Sequence, residues 1–258
     1  MVSGVSMAAM GFSLLLATAV PFAAAIWCVR KYKKSVKNIL VGAAIFIVFA
    51  LVLERSMHVY FLKTNFEISM ILENPWIFGL YGGLAAGIFE EVGRFFGYKI
   101  LLKGRTEWKD GVAYGIGHGG IEAILVGGLS AAQSLYFSFL INAGSLPSAL
   151  EQIRGVLAGT EPYLFMVSGL ERMFALALQI ALSILVLYAV RRSKIKYLFY
   201  AVIIHAAIDF PAALYQKGII SNVWTIEAGL AVIAAICLFF IIRSQKMFKS
   251  DIVEEEKI

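Results

Sequence analysis

Apolar residues along this chain fall in long stretches separated by short polar connections. A helix needs roughly 20 such residues to cross a hydrocarbon core of about 30 Å. Seven stretches reach that length: 4–29, 38–62, 75–100, 110–138, 163–190, 196–216 and 219–242. The pattern predicts an all-α polytopic transmembrane bundle that forms a single domain over residues 1–258. The longest connection, Asn142 to Pro162, carries Gly, Ser and Pro with few charges. Within it, Leu150, Ile153 and Val156 are expected to share one face of a short interfacial helix over Ser148 to Gly155.

The fourth stretch has a finer pattern. Small residues recur at every fourth position, Gly111, Gly115, Gly119, Ala123, Gly127 and Ala131, which is how membrane helices let backbones approach closely. An adjacent row on the same helix reads Tyr114, His118, Glu122. A close-packing face and a polar face are therefore predicted side by side.

Composition agrees with a membrane bundle: 60% of the 258 residues are hydrophobic, 16% are charged, and the mean hydropathy is +0.81. The net charge of +6 would suit nucleic acid if the basic residues were scattered over one soluble surface. They lie instead on alternate connections, 17 of 23, at Arg30 to Lys37, Lys99 to Lys109, Arg191 to Lys196 and Arg243 to Lys257. Only Lys63, Arg154 and Lys217 fall on the other side, so the positive-inside rule predicts the N-terminus out and the C-terminus in. No nucleic-acid partner is expected. The first stretch lacks a basic leading region and a clear small-residue cleavage site, and is read as a retained span. Cys28 and Cys237 suggest neither a disulfide nor a thiolate metal site, and the acidic tail, Asp251 and Glu254 to Glu256, reads as a solvated end.

Ionisable groups within the spans change the picture, because each costs about 2.5 to 3.5 kcal/mol at mid-bilayer on insertion scales. Glu54, Arg55, His58, Glu90, Glu91, Arg94, His118, Glu122, Glu171, Arg172, His205 and Asp209 all lie inside predicted spans. At about 1.5 Å per helical residue, Glu90 and Glu91 counted from Lys99, His118 from Asp110 and His205 from Lys196 all lie roughly 13 Å from the basic face. By the same count Glu54, Arg55, His58, Glu171 and Arg172 form an outer layer, where pairing between the second and fifth spans is expected. In the inner layer Glu90 with Arg94, His118 with Glu122, and His205 with Asp209 are i, i+4 pairs.

Two carboxylates and two imidazoles at one depth suit water activation by a glutamate with carbonyl polarisation by a histidine. The chain has no G-x-S-x-G elbow and no H-E-x-x-H helix, and no cysteine in the polar layer. Three motifs in order, Glu90-Glu91-x-x-Arg94, Tyr114-x-x-x-His118 and His205-x-x-x-Asp209, resemble the glutamic-type intramembrane proteases, the superfamily of CAAX prenyl-protein proteases and bacteriocin-processing enzymes. The run Gly117-His118-Gly119-Gly120-Ile121-Glu122 and the stretch from Glu171-Arg172 to Gln179 look closest to its YhfC branch. The resemblance covers the third through the sixth span.

It implies a peptidase that acts on a membrane-anchored protein or peptide, and the depth of the inner layer sets the expected cut near the cytoplasmic leaflet. Glu90 with His118 would activate water, His205 with Asp209 would hold the oxyanion, and Arg94 and Glu91 would orient the first group. This chain has two residues between the paired glutamates and the arginine where CAAX proteases usually have three, which leaves either Glu90 or Glu91 as the base. It also has Asp209 where they often have Asn; an ionised Asp cannot donate a hydrogen bond, a protonated one can. Glu122 is expected to support His118 or to make a packing hydrogen bond. No cofactor and no metal is the first expectation; zinc on His118, His205 and a carboxylate is the alternative. A structural salt-bridge network, a proton-coupled transporter and a non-catalytic membrane partner are the other readings of the same residues.

Overall fold

The computed structural model describes residues 1–33 and 35–255, and every regular element among them is helical. We number the helices α1 (Gly4–Lys31), α2 (Val36–Thr64), α3 (Phe66–Ile71), α4 (Pro75–Phe96), α5 (Trp108–Asn142), α6 (Glu151–Gly159), α7 (Pro162–Arg191), α8 (Lys196–Gln216) and α9 (Val223–Glu255). Among the described residues, α1, α2, α5, α7, α8 and α9 up to Lys249 are long and apolar enough to cross a membrane. The remaining predicted span, the third (75–100), is α4 with its π-helical continuation Gly97–Leu101; it has comparable length but carries Glu90, Glu91 and Arg94 in its second half. The acidic tail lies outside the described side chains.

Local sequence accounts for the ends. Asn74 accepts hydrogen bonds from Trp76 N and Ile77 N while Pro75 opens α4, and Asn65 does the same for α3 through Ile68 N. Glu107 and Asp110 form a reciprocal capping box on α5. Helix α8 stops at Gln216 because Gly218 takes φ +73° and returns the chain, so α9 begins at Val223, later than the predicted 219.

Helix α7 is the centre of the bundle: 67% of its most apolar stretch is buried, against 17–28% for the other five apolar helices. It packs against α1, α5, α8 and α9, α5 also lies along α2, and α4 lies along α8. Large apolar side chains such as Phe139, Phe199, Phe239 and Ile242 face outward, as a lipid-facing surface requires. The protein is a multi-pass integral membrane protein.

The predicted one-sidedness of charge is visible as contacts. At one end of the bundle Arg105 Nη1 donates to Asn38 Oδ1 at 2.8 Å, Arg191 Nη1 donates to Thr106 O at 3.0 Å, and Trp108 Nε1 donates to Ser244 Oγ at 2.9 Å. At the other end Asn142 exchanges bonds with Val2 (2.8 and 2.9 Å), and Tyr163 stacks on Trp224 at 5.5 Å. The short helix in the long connection forms at Glu151–Gly159, but its packed face is Ile153 and Leu157; Val156, expected on that face, points outward. A helix turns about 100° per residue, so two successive i, i+3 steps leave Val156 about 120° round from Leu150, while Ile153 and Leu157 stay about 40° apart.

Candidate active site

Glu90, Glu91 and Arg94 project from α4, His118 and Glu122 from α5, Gln179 from α7, and His205 and Asp209 from α8. Glycines let these four helices meet. A Cβ at Gly83 would stand 2.4 Å from Ala206 O, and one at Gly87 2.7 Å from Val202 O, so α4 and α8 touch backbone to backbone. On α5, a Cβ at Gly115 would stand 2.5 Å from Ile180 Cα and one at Gly119 2.7 Å from Gln179 Cβ. The stripe foreseen on α5 is therefore the seat of α7.

Arg94 is fully buried and ties the cluster together. Its Nη2 donates to Glu90 Oε2 at 3.2 Å and to the Gln179 side-chain oxygen, and its Nη1 donates to Gln179 O at 3.2 Å and lies 3.5 Å from Glu91 Oε1. Glu90 Oε2 also accepts from His118 Nε2 at 2.9 Å and from Gln179 Nε2 at 3.1 Å. All of these bonds fall on one oxygen. Glu90 Oε1 makes none among the described residues and is not among the fully buried unpartnered atoms, while Glu90 lines a cavity of about 100 Å³ with His205 and Asp209. That oxygen is the one facing open space.

The two glutamates have different surroundings. Glu91 is wholly buried, and its Oε1 accepts from His205 Nδ1 at 2.7 Å. An ionised carboxylate has no proton to give, so His205 presents Nδ1–H to Glu91 and keeps Nε2 toward Asp209 Oδ2, 3.5 Å away, and the cavity. By the same argument His118 presents Nε2–H to Glu90. His118 itself is buried between Phe46, edge-on at 5.2 Å, and Tyr114, stacked at 6.1 Å. Tyr114 is held in turn against Tyr98 at 4.4 Å.

Some expected partners differ. Of the two readings of Glu122 the structure has the interhelical hydrogen bond and not a bond to His118: it accepts from Gln179 Nε2 at 2.6 Å and pairs with Arg172 Nη1 at 3.2 Å. The π-helical turn Ala123–Gly128 begins directly after Glu122, and a Cβ at Gly127 would meet the Arg172 stem at 2.6 Å, so α7 supplies the nearer cation. The outer layer does not pair between the second and fifth spans either. Glu54 bonds His58 one turn on at 3.1 Å, His58 Nδ1 meets Tyr81 Oη at 2.6 Å, and Arg172 pairs with Glu171 and Glu122. Charges took partners on their own helix or on the adjacent polar row. Gln179, absent from the sequence-based site set, is a hub touching Glu90, Arg94 and Glu122. The available signal was an amide in the middle of an apolar helix.

Imidazole and carboxylate are the donor types zinc takes. Their arrangement does not gather them: among the described residues no three His, Cys, Asp or Glu side chains converge as metal ligands. His118 and His205 each face a different glutamate, and the Arg94 guanidinium already lies against both carboxylates. A cation centre there would place two positive charges on the same oxygens. The side chains as arranged do not fit a metal centre.

A family model described as YhfC intramembrane metalloprotease matches residues 16–230. A protein of Bacillus subtilis (strain 168), described as "Uncharacterized membrane protein YhfC", is 39% identical over 258 residues, covering 96% of this chain and 100% of that protein. No solved structure matches.

Proposed function

Since the chain belongs to the YhfC family of intramembrane metalloproteases, which makes it an intramembrane peptidase, we propose that it hydrolyses a peptide bond of a membrane-anchored protein or peptide with water activated by Glu90. The observation that carries this reading is the loading of Glu90. Three donors fix one carboxylate oxygen and leave the other toward the cavity. A base held so is oriented before the substrate arrives.

Water placed against Glu90 Oε1 gives up a proton as its oxygen attacks the carbonyl carbon. His205, held through Nδ1 by Glu91 and with Nε2 toward Asp209, donates from Nε2, when that nitrogen carries a proton, to the developing oxyanion. The C–N bond then breaks, and the proton held on Glu90 passes to the leaving amine. His118, Arg94 and Gln179 act through Glu90, and Glu91 acts through His205. Glu122, held by Gln179 and Arg172, borders the cavity and keeps the Gln179 amide turned so that its nitrogen serves both glutamates. Asp209 either screens the imidazolium or, protonated, shares in oxyanion binding.

The test is cleavage of a panel of membrane-anchored and prenylated peptides by the purified protein, with and without a strong chelator. The account predicts cleavage that chelation leaves unchanged and that His118→Ala reduces sharply. Loss on chelation, restored by zinc, would replace this mechanism with the metal-dependent one in the family description. A panel left uncut would contradict the peptidase reading itself.

A further inference from the structure

The space around the cluster is strongly asymmetric. Toward the basic ends of the helices the cluster is capped by packed side chains. Tyr98 and Leu102 follow Arg94 along the chain, Tyr114 precedes His118, and Ile184 and Leu187 separate Gln179 from Arg191; all five are 0–1% exposed. A hollow of about 510 Å³ on that face, between Lys31, Arg105 and Asp110, includes no residue of the cluster among its lining. Toward the opposite ends the packing is open. A cavity of about 460 Å³ runs past Asp209 and Glu122 to Gly82 and Phe78 on α4, Gln216 on α8 and Leu62 on α2. It shares Glu122, Glu171, Arg172, Asp209 and Ala212 with the smaller cavity at Glu90 and His205. Its far residues are those nearest Lys63, Pro75 and Lys217, at the ends remote from the basic connections.

We propose that the site is entered from the membrane face opposite the basic connections, so that the segment cut is presented at that face and reaches Glu90 through the vestibule between α2, α4 and α8. By the positive-inside rule that face is the extracytoplasmic one. The helical depth of the cluster had suggested a cut near the cytoplasmic leaflet. Depth alone does not decide access, because the shorter path is the one filled with Tyr98, Tyr114 and Leu187. The occupant is a polypeptide tethered in the membrane, a point that rests on the peptidase reading; the direction of entry does not.

Accessibility of single cysteines tests the direction. In a chain with Cys28 and Cys237 replaced by Ala, the reporters are Gly82→Cys and Ala212→Cys. A Cβ at Gly82 meets only the Ala213 methyl, at 3.7 Å. Lys103→Cys and Ser145→Cys mark the two faces. A membrane-impermeant maleimide is applied to sealed vesicles of either orientation, and each variant is first checked for an unchanged melting profile. Both reporters are expected to be labelled from the Ser145 side and not from the Lys103 side. Labelling from the Lys103 side, equally from both, or from neither would overturn the proposal. If vesicles of the wild type cut a substrate, a bulky maleimide on Gly82→Cys should abolish cleavage while one on Ser145→Cys leaves it. One-sided labelling of a protein that cuts nothing would leave the entry route standing and remove the peptidase reading. Cleavage that survives the blocked vestibule would do the reverse.

Discussion

A guanidinium with no exposed surface needs its charge answered nearby, and Arg94 finds Glu90, Glu91 and the Gln179 side chain and carbonyl through Nη1 and Nη2, with only Nε left unpartnered among the described residues. Gln179 then spends its own amide nitrogen on Glu90 and Glu122, so one neutral side chain fixes the spacing of two acids. Removing it should leave the helices packed but let the Glu90 carboxylate turn. We expect Gln179→Ala to lower kcat by on the order of 10²-fold with KM little changed, and steady-state kinetics on any cleaved peptide would check it. An unchanged kcat would make Gln179 a packing residue only. The charged members of the site were legible because a charge stands out in an apolar stretch. Gln179 was not, since an amide costs less to bury and looks like an ordinary interhelical hydrogen bond. The choice between Glu90 and Glu91 was not legible either: adjacent residues on a helix point about 100° apart, and only the packed neighbours show that one meets the cavity and the other His205.

At the scale of elements, α5 is gripped from two sides. The row Gly111, Gly115, Gly119 and Gly127 seats α7, as the small-residue spacing implied, although the sequence could not say which helix would take that seat. On its other side Gly117 lies against Ile39 of α2, where a Cβ would stand 2.0 Å from the carbonyl oxygen, and α2 answers with Gly42 against Tyr114 O. That second contact escaped the pattern because a single glycine in each helix makes no stripe. Gly117→Ala should therefore destabilise the bundle by about 1–3 kcal/mol, as overpacking a tight contact does. Gly229→Ala, with nothing within 4 Å of the added Cβ, should leave the melting temperature unchanged or slightly raised. Thermal unfolding in detergent would compare the two; equal melting temperatures would contradict the close approach. The pairing expected between the second and fifth spans failed for a related reason. Matched charges at equal depth fix no azimuth, and Glu54 and Arg172 face different neighbours.

For the whole molecule, the basic connections gather at one end and the open vestibule at the other, with the inner cluster between them. The polytopic helical class and the gathering of basic connections at one end were readable from the sequence, because the bilayer imposes length and charge rules on any chain that crosses it. The route into the site was not, since it depends on which layer of side chains packs solid. On the proposed reading, this arrangement admits water and a substrate segment from the vestibule side and holds Glu90 from the other.

On the proposed mechanism Glu90, and not its neighbour, carries the hydrolytic proton. The most direct test is the rate of cleavage of one peptide by the wild type, Glu90→Gln and Glu91→Gln, with all three shown to melt alike. Losing the base should cost Glu90→Gln about 10²–10⁴-fold in kcat, whereas Glu91→Gln, which keeps a hydrogen-bond acceptor for His205, should retain part of the activity. Wild-type turnover by Glu90→Gln, or a loss confined to Glu91→Gln, would contradict the account.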